Sequence, residues 1–99
     1  MRVIAKRTLR QFWEQPDHDN AERPLTEWYH LVSKASWQTP QQLKADLRNA
    51  SILKSGRVVF NIAGNKYRIV AWINYPYRVL YIRFVGTHRD YDSIDAQNI

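Results

Sequence analysis

Residues 57–92, RVVFNIAGNKYRIVAWINYPYRVLYIRFVGTHRDYD, constrain this chain more than anything else in it. They contain three stretches dense in Val, Ile, Tyr, Phe or Trp: Arg57–Ile62, Lys66–Asn74 and Arg78–Gly86. β-Branched and aromatic side chains suit a pleated, half-buried surface, so three strands are predicted. Ala63-Gly64-Asn65 supplies residues that tolerate positive φ, as a tight hairpin needs. Asn74-Tyr75-Pro76-Tyr77 supplies the second turn, because Pro76 fixes φ and cannot donate to a ladder. The product is an antiparallel meander that ends in a polar tail, Thr87 to Asp92.

Alternation assigns the faces. In the second strand Tyr67, Ile69, Ala71 and Ile73 share one parity, and Lys66, Arg68, Val70 and Trp72 share the other. In the third, Leu80, Ile82 and Phe84 are expected on one side, with Tyr81, Arg83 and Val85 on the other. Burying Ile69, Ile73, Ile82 and Phe84 leaves Lys66, Arg68, Tyr81 and Arg83 on a basic, partly aromatic face. His88 and Tyr91 lie just beyond its last strand. Lys and Arg attract phosphate, and Arg can grip it through two parallel hydrogen bonds, so this face suits a polyanion.

Upstream, Arg2–Ala5 is a candidate short strand joining the later sheet. Lys6–Gln15 spaces Leu9, Phe12 and Trp13 as a helix does, and Pro16 stops it. Leu25–Ala35 carries a broad apolar stripe, with Pro24 suited to a first turn. Thr39-Pro40-Gln41-Gln42 has the form of a helix start, with Thr39 as N-cap and Gln42 closing a capping box; a short helix to Arg48 follows. Ser51–Lys54 is strand-like. The predicted architecture is α+β: a small antiparallel sheet of three to four strands, two to three N-terminal helices on one face, and the other face open.

Ninety-nine residues make one domain, residues 1–99. The net charge is +6 and the pI is near 9.9, a balance that favours nucleic acid, an anionic membrane surface or an acidic protein as partner. Seven of the fifteen basic residues lie between Lys54 and Asp92, against only Asp90 and Asp92. The absence of Cys removes thiolate metal sites, disulfides and Cys nucleophiles, and suits a reducing cytoplasm. No apolar run approaches the ~18 residues of a membrane span, and the N-terminus has no signal-peptide core. His18, His30 and His88 are irregularly spaced and predict no metal site.

Residues 58–70 (VVFNIAGNKYRIV) and 81–92 (YIRFVGTHRDYD) resemble the HigB family, toxins of bacterial toxin–antitoxin pairs within the RelE-like superfamily. The resemblance covers the second half well; the first half agrees in length and order. It implies a RelE-like fold, an mRNA interferase that acts on ribosome-bound messages, and a cognate HigA-like helix-turn-helix antitoxin that silences it. Contact with DNA would come only through the antitoxin complex. By position, Arg68 falls where such toxins keep an arginine in a (G/N)xYR motif, beside Lys66. His88 and Tyr91 match the end of the last strand, where acid–base and substrate-orienting residues are expected.

Metal-free, cofactor-free RNA cleavage needs a base for the 2′-OH proton, cations for the phosphorane charge, and an acid for the leaving 5′-oxygen. Imidazole titrates near neutral pH, which makes His88 the first candidate for proton transfer. Tyr91 is a candidate to orient the nucleophile or stack on a base. Arg68, Lys66 and Arg83 are the phosphate candidates, with Trp72, Tyr81 and Arg89 as further RNA contacts. No Glu follows Glu27, so a carboxylate base must come from Asp90, Asp92 or a distant helix. An external scaffold such as the ribosome would then help to orient the RNA.

Each residue also has a plain structural explanation. Arg68 and Lys66 could form a solvated strand face, Arg83 could pair with Asp90 or Asp92, His88 could sit in a turn, and Tyr91 could simply pack. Two rival functions follow: a non-catalytic RNA- or ribosome-binding module that blocks translation by occupancy, and a small domain that binds an acidic protein.

Overall fold

The computed structural model describes residues 1–99. In chain order the elements are β1 (Arg2–Ile4), α1 (Lys6–Trp13), a 3-10 turn (Asp19–Ala21), α2 (Glu22–Lys34), α3 (Pro40–Asp46), β2 (Ser51–Ile52), β3 (Arg57–Ile62), β4 (Tyr67–Asn74), β5 (Val79–Thr87) and α4 (His88–Tyr91). α1 buries Leu9 and Phe12, and α2 buries Leu25, Trp28 and Val32. α2 begins at Glu22, ahead of the predicted start, so Pro24 still lies in the first turn, where a missing N–H costs nothing. The start of α3 is as predicted at Thr39, whose side chain accepts from the Gln42 N–H at 3.2 Å. The Gln42 side chain reaches back one residue further than a standard capping box, accepting from the Gln38 N–H at 2.7 Å.

The sheet has five strands in the order β1-β5-β4-β3-β2. β1 runs parallel to β5 and every other pair is antiparallel. Both candidate short strands, at Arg2–Ile4 and Ser51–Ile52, form as the two edges, one of them parallel, so the sheet has one strand more than the three to four predicted. β1 precedes the helices, so the chain crosses the sheet through them before β5 returns in the same direction. The helices cover one face. Leu9, Leu25, Val32 and Leu43 meet Val58, Phe60, Ile69, Ile73 and Leu80 there, and Trp28 stands edge-on to Phe60 at 5.2 Å. At the β1 end the Met1 amino group donates to the carbonyls of Val32 and Ser33, at the close of α2. Loss of solvent, and to a smaller extent the neighbouring Arg78, lowers its pKa. Burial raises that of Tyr75 in the nearby β4–β5 turn.

Two expectations fail. Val70 pairs with Phe84 but Ala71 pairs with Ile82, so Arg83 is the extra residue of a β-bulge in β5. Strict alternation ends there. Ile82 remains on the helix side, Val85 joins it, and Phe84 turns to the opposite face. A one-residue insertion reverses side-chain parity, which is why the assignment of Phe84 to the helix side was wrong. Nor is the second face open throughout. The C-terminal segment after α4 crosses it, and Ala96, Ile94 and Ile99 pack with Val59, Val70, Phe84, Leu53 and Tyr91. A small sheet with Val59 and Val70 on that face needs such cover.

The β3–β4 hairpin closes with Ala63 at φ 53° and Gly64 at φ 71°. The loop spans the four residues 63–66, with the Lys66 N–H donating to the Ala63 carbonyl at 3.3 Å. Glycine accepts the left-handed conformation freely, but alanine is strained there. Ala63→Asn is expected to stabilise the fold by about 0.5–1 kcal/mol, since Asn tolerates this conformation. A thermal melt should rise by a few degrees; an unchanged or lower midpoint would contradict the turn geometry.

Candidate active site

Three rows of side chains cross the face away from the helices, set by the pairing of β3, β4 and β5. They are Asn61–Arg68–Gly86, Val59–Val70–Phe84 and Arg57–Trp72–Tyr81. The middle row is apolar and lies under the C-terminal segment. The outer rows flank that cover, and the candidate site forms at the first of them.

Arg68 is half-buried in that row. Its guanidinium carbon lies 4.8 Å from the centre of the Tyr91 ring, a cation–π contact that steadies the fork. Nη2 donates to the Asn65 side-chain oxygen at 3.4 Å, and the buried Nε has no partner. A buried guanidinium N–H without an acceptor is an unusual cost, and one that an anionic ligand would relieve. Lys66 lies in the turn before β4 rather than in the strand, with its side chain exposed. Its carbonyl accepts from the His88 N–H at 3.2 Å, which ties the hairpin to the start of α4.

α4 is a single turn built by a capping box. The Thr87 side chain accepts from the Asp90 N–H at 3.1 Å, and Asp90 Oδ2 accepts from the Thr87 N–H at 3.2 Å. Asp90 is therefore committed to the cap. Asp92 faces the imidazole instead, with its Oδ2 3.2 Å from His88 Nδ1. Such a pair fixes the ring and leaves Nε2 as the nitrogen available to a ligand. The imidazole remains open, with 47% of its side chain exposed.

Gly86 makes this packing possible. A Cβ there would come within 2.6 Å of the Phe84 ring tip and 3.1 Å of the Asp90 Cβ. Gly86→Ala is expected to destabilise the protein by roughly 1–3 kcal/mol, the usual cost of overpacking, and to unseat α4. Urea unfolding checks this, and a wild-type midpoint would contradict it.

The sequence-derived candidates thus separate. Arg68, Tyr91, Lys66 and His88 come together at one rim of the sheet, with Arg89 exposed beside His88 on α4. Arg83 is exposed at the bulge and pairs with neither Asp90 nor Asp92; the ion pairs are Arg23–Glu27 and His88–Asp92. Trp72 and Tyr81 pack against each other at 5.3 Å with their rings tilted by 31°, on the far side of the covered row. Two rows further along a strand is about 14 Å. His18 stacks on Phe12 at 4.3 Å, and His30 stands edge-on to Tyr29. Two contributors were missed in the sequence: Asp92 as the imidazole's partner and Asn65 as the guanidinium's. The four-residue spacing of His88 and Asp92 was the available signal, but only once the stretch is read as helical.

This sheet, its helical layer and its basic rim define a class. The matching family model, over residues 21–94, is described as the RelE-like toxic component of a toxin–antitoxin system, HigB toxin. The mRNA interferase toxin HigB of Escherichia coli K12 is 32% identical over 100 residues, which cover 97% of this chain and 92% of that protein. The mRNA interferase HigB of Shigella flexneri matches to the same extent. That of Escherichia coli O6:H1 is 21% identical over 96 residues, covering 95% of this chain and 91% of that protein. The chain belongs to the HigB toxin family.

Proposed function

We propose that this chain is an mRNA interferase, a metal-independent endoribonuclease toxin that cuts ribosome-bound messages and so stops translation in the cytoplasm. A cognate helix-turn-helix antitoxin silences it and supplies the only link to DNA. One observation carries the reading. Arg68, clamped over Tyr91, lies on the strand that pairs with the lead-in to His88, and His88 is itself oriented by Asp92.

In the proposed reaction the message's 2′-oxygen attacks the adjacent phosphorus and the P–O5′ bond breaks. The products are a 2′,3′-cyclic phosphate and a 5′-hydroxyl. Arg68 and Lys66 hold the non-bridging oxygens as charge grows on them. His88 Nε2 handles one of the two protons that move, and Tyr91 orients the nucleotide. Arg83 and Arg89 steer the flanking backbone. The Trp72–Tyr81 pair, about 14 Å along the sheet, stacks on a base outside the cut linkage. With Asp90 engaged in the cap, few acid–base groups remain, which favours a substrate held in place by the ribosome.

Conditional expression followed by mapping of message 5′ ends tests the proposal. New ends that vanish in Arg68→Ala and His88→Ala are expected. Arrested translation with intact messages would overturn cleavage and favour blocking by occupancy.

A further inference from the structure

The C-terminal segment is more than a cover for the apolar row. Asp95 turns it: its carboxylate accepts from the Gln97 N–H at 3.2 Å and from the Asn98 side chain. That turn presents the Gln97 side chain to the loop before β3. The Gln97 carboxamide then makes both bonds a neighbouring strand would make. Its oxygen accepts from the Lys54 N–H at 2.9 Å, and its nitrogen donates to the Lys54 carbonyl at 2.7 Å. Arg57 Nε donates to the Ile99 carbonyl at 2.9 Å, two residues further on. Between this clasp and α4 lie Ile94 and Ala96, packed in the cluster that also holds the Tyr91 ring. The far end of the segment is Tyr91 itself, whose face carries the Arg68 guanidinium.

We infer that Gln97 is a positioning residue for the cleavage site: its clasp on Lys54 tensions the segment that seats Tyr91 against Arg68. The inference rests on the nuclease reading. The match to the family model ends at residue 94, short of Gln97. Without the clasp the segment keeps its apolar contacts and the Arg57–Ile99 bond but loses both bonds to Lys54, the ones made nearest to Ala96. Tyr91 then gains freedom, and the fork over its ring loses alignment with the phosphate. A misplacement of this kind lowers turnover by roughly ten- to a hundredfold without abolishing binding.

The test compares wild type, Gln97→Ala and the near-isosteric Gln97→Met, with Arg68→Ala as the activity control. Gln97→Met retains the bulk and removes the hydrogen bonds. Two measurements are made on each purified protein. One is kcat and KM on a programmed ribosome. The other is the NMR shift of the Arg68 guanidinium protons, which the Tyr91 ring moves upfield. The expected result is a fall in kcat of roughly ten- to a hundredfold with little change in KM, equal in both Gln97 variants, as an alignment defect requires. The Arg68 proton shifts should relax toward their free values while the amide spectrum of β3–β5 is retained. Gln97→Ala in a Tyr91→Ala background should cost nothing further. Wild-type turnover and unchanged Arg68 shifts in both variants would overturn the inference. If the wild type cuts no RNA, the nuclease reading falls, while the NMR arm still decides whether Gln97 seats Tyr91.

Discussion

His88→Ala is expected to lower kcat for message cleavage by about 10²–10⁴-fold, with KM nearly unchanged. The imidazole is held by Asp92 at 3.2 Å and by its position at the head of α4, so its free nitrogen has a defined direction. It makes no contribution to the core, since its side chain is 47% exposed. Stability should therefore remain within about 0.5 kcal/mol of wild type, as for other surface changes. That separation of activity from stability is the signature of a proton-transfer group. Asp92→Ala should have a smaller effect, because it removes the orienting partner and leaves the imidazole. Added imidazole should restore part of the activity of His88→Ala. Cleavage by His88→Ala at the wild-type rate would remove the residue from the chemistry.

Arg68→Ala is expected to cost about 10²–10³-fold in kcat/KM, the usual loss when one preorganised donor to a developing oxyanion is removed. Here the loss has two physical sources. The guanidinium supplies charge and a two-pronged donor, and its contact with Tyr91 holds that donor still. Arg68→Lys keeps the charge but not the planar two-pronged donor, so it should recover only a minor part of the rate. Binding of a non-cleavable 2′-deoxy oligonucleotide gives an independent readout. The dependence of log K on log salt should become shallower by roughly 0.7 in Arg68→Ala, the share of one phosphate contact on a single strand. An unchanged slope would mean that Arg68 does not touch the backbone.

Much of this arrangement is legible in the residues alone. The β-rich runs, the Ala63-Gly64 turn and the Thr39 cap are local signals, and each forms where its chemistry predicts. Arg68 and His88 could be placed near each other because β4 and β5 are hairpin partners and pairing fixes their register. What could not be read is non-local or depends on a single irregularity. The bulge at Arg83 has no distinct signature in YIRFVG, yet it sends Phe84 to the other face. The covering segment contains only Ile94, Ala96 and Ile99 as apolar residues, too few to show a period. Its path depends on Gln97 meeting a backbone some forty residues away. The Asp90–Asp92 distinction was hidden for a related reason, because it needs the α4 turn before one carboxylate is assigned to the cap and the other to the imidazole.

The central claim is that Arg68 and the His88 imidazole act on one RNA linkage whose own 2′-oxygen is the nucleophile. Its most direct test uses the purified wild-type protein and a ribosome-bound message with a single 2′-deoxy nucleotide on the 5′ side of the mapped cut. This message should be left whole, while the all-ribose message yields a 2′,3′-cyclic phosphate and a 5′-hydroxyl. Cutting of the deoxy message at the normal rate, or a 5′-phosphate on the product, would contradict it.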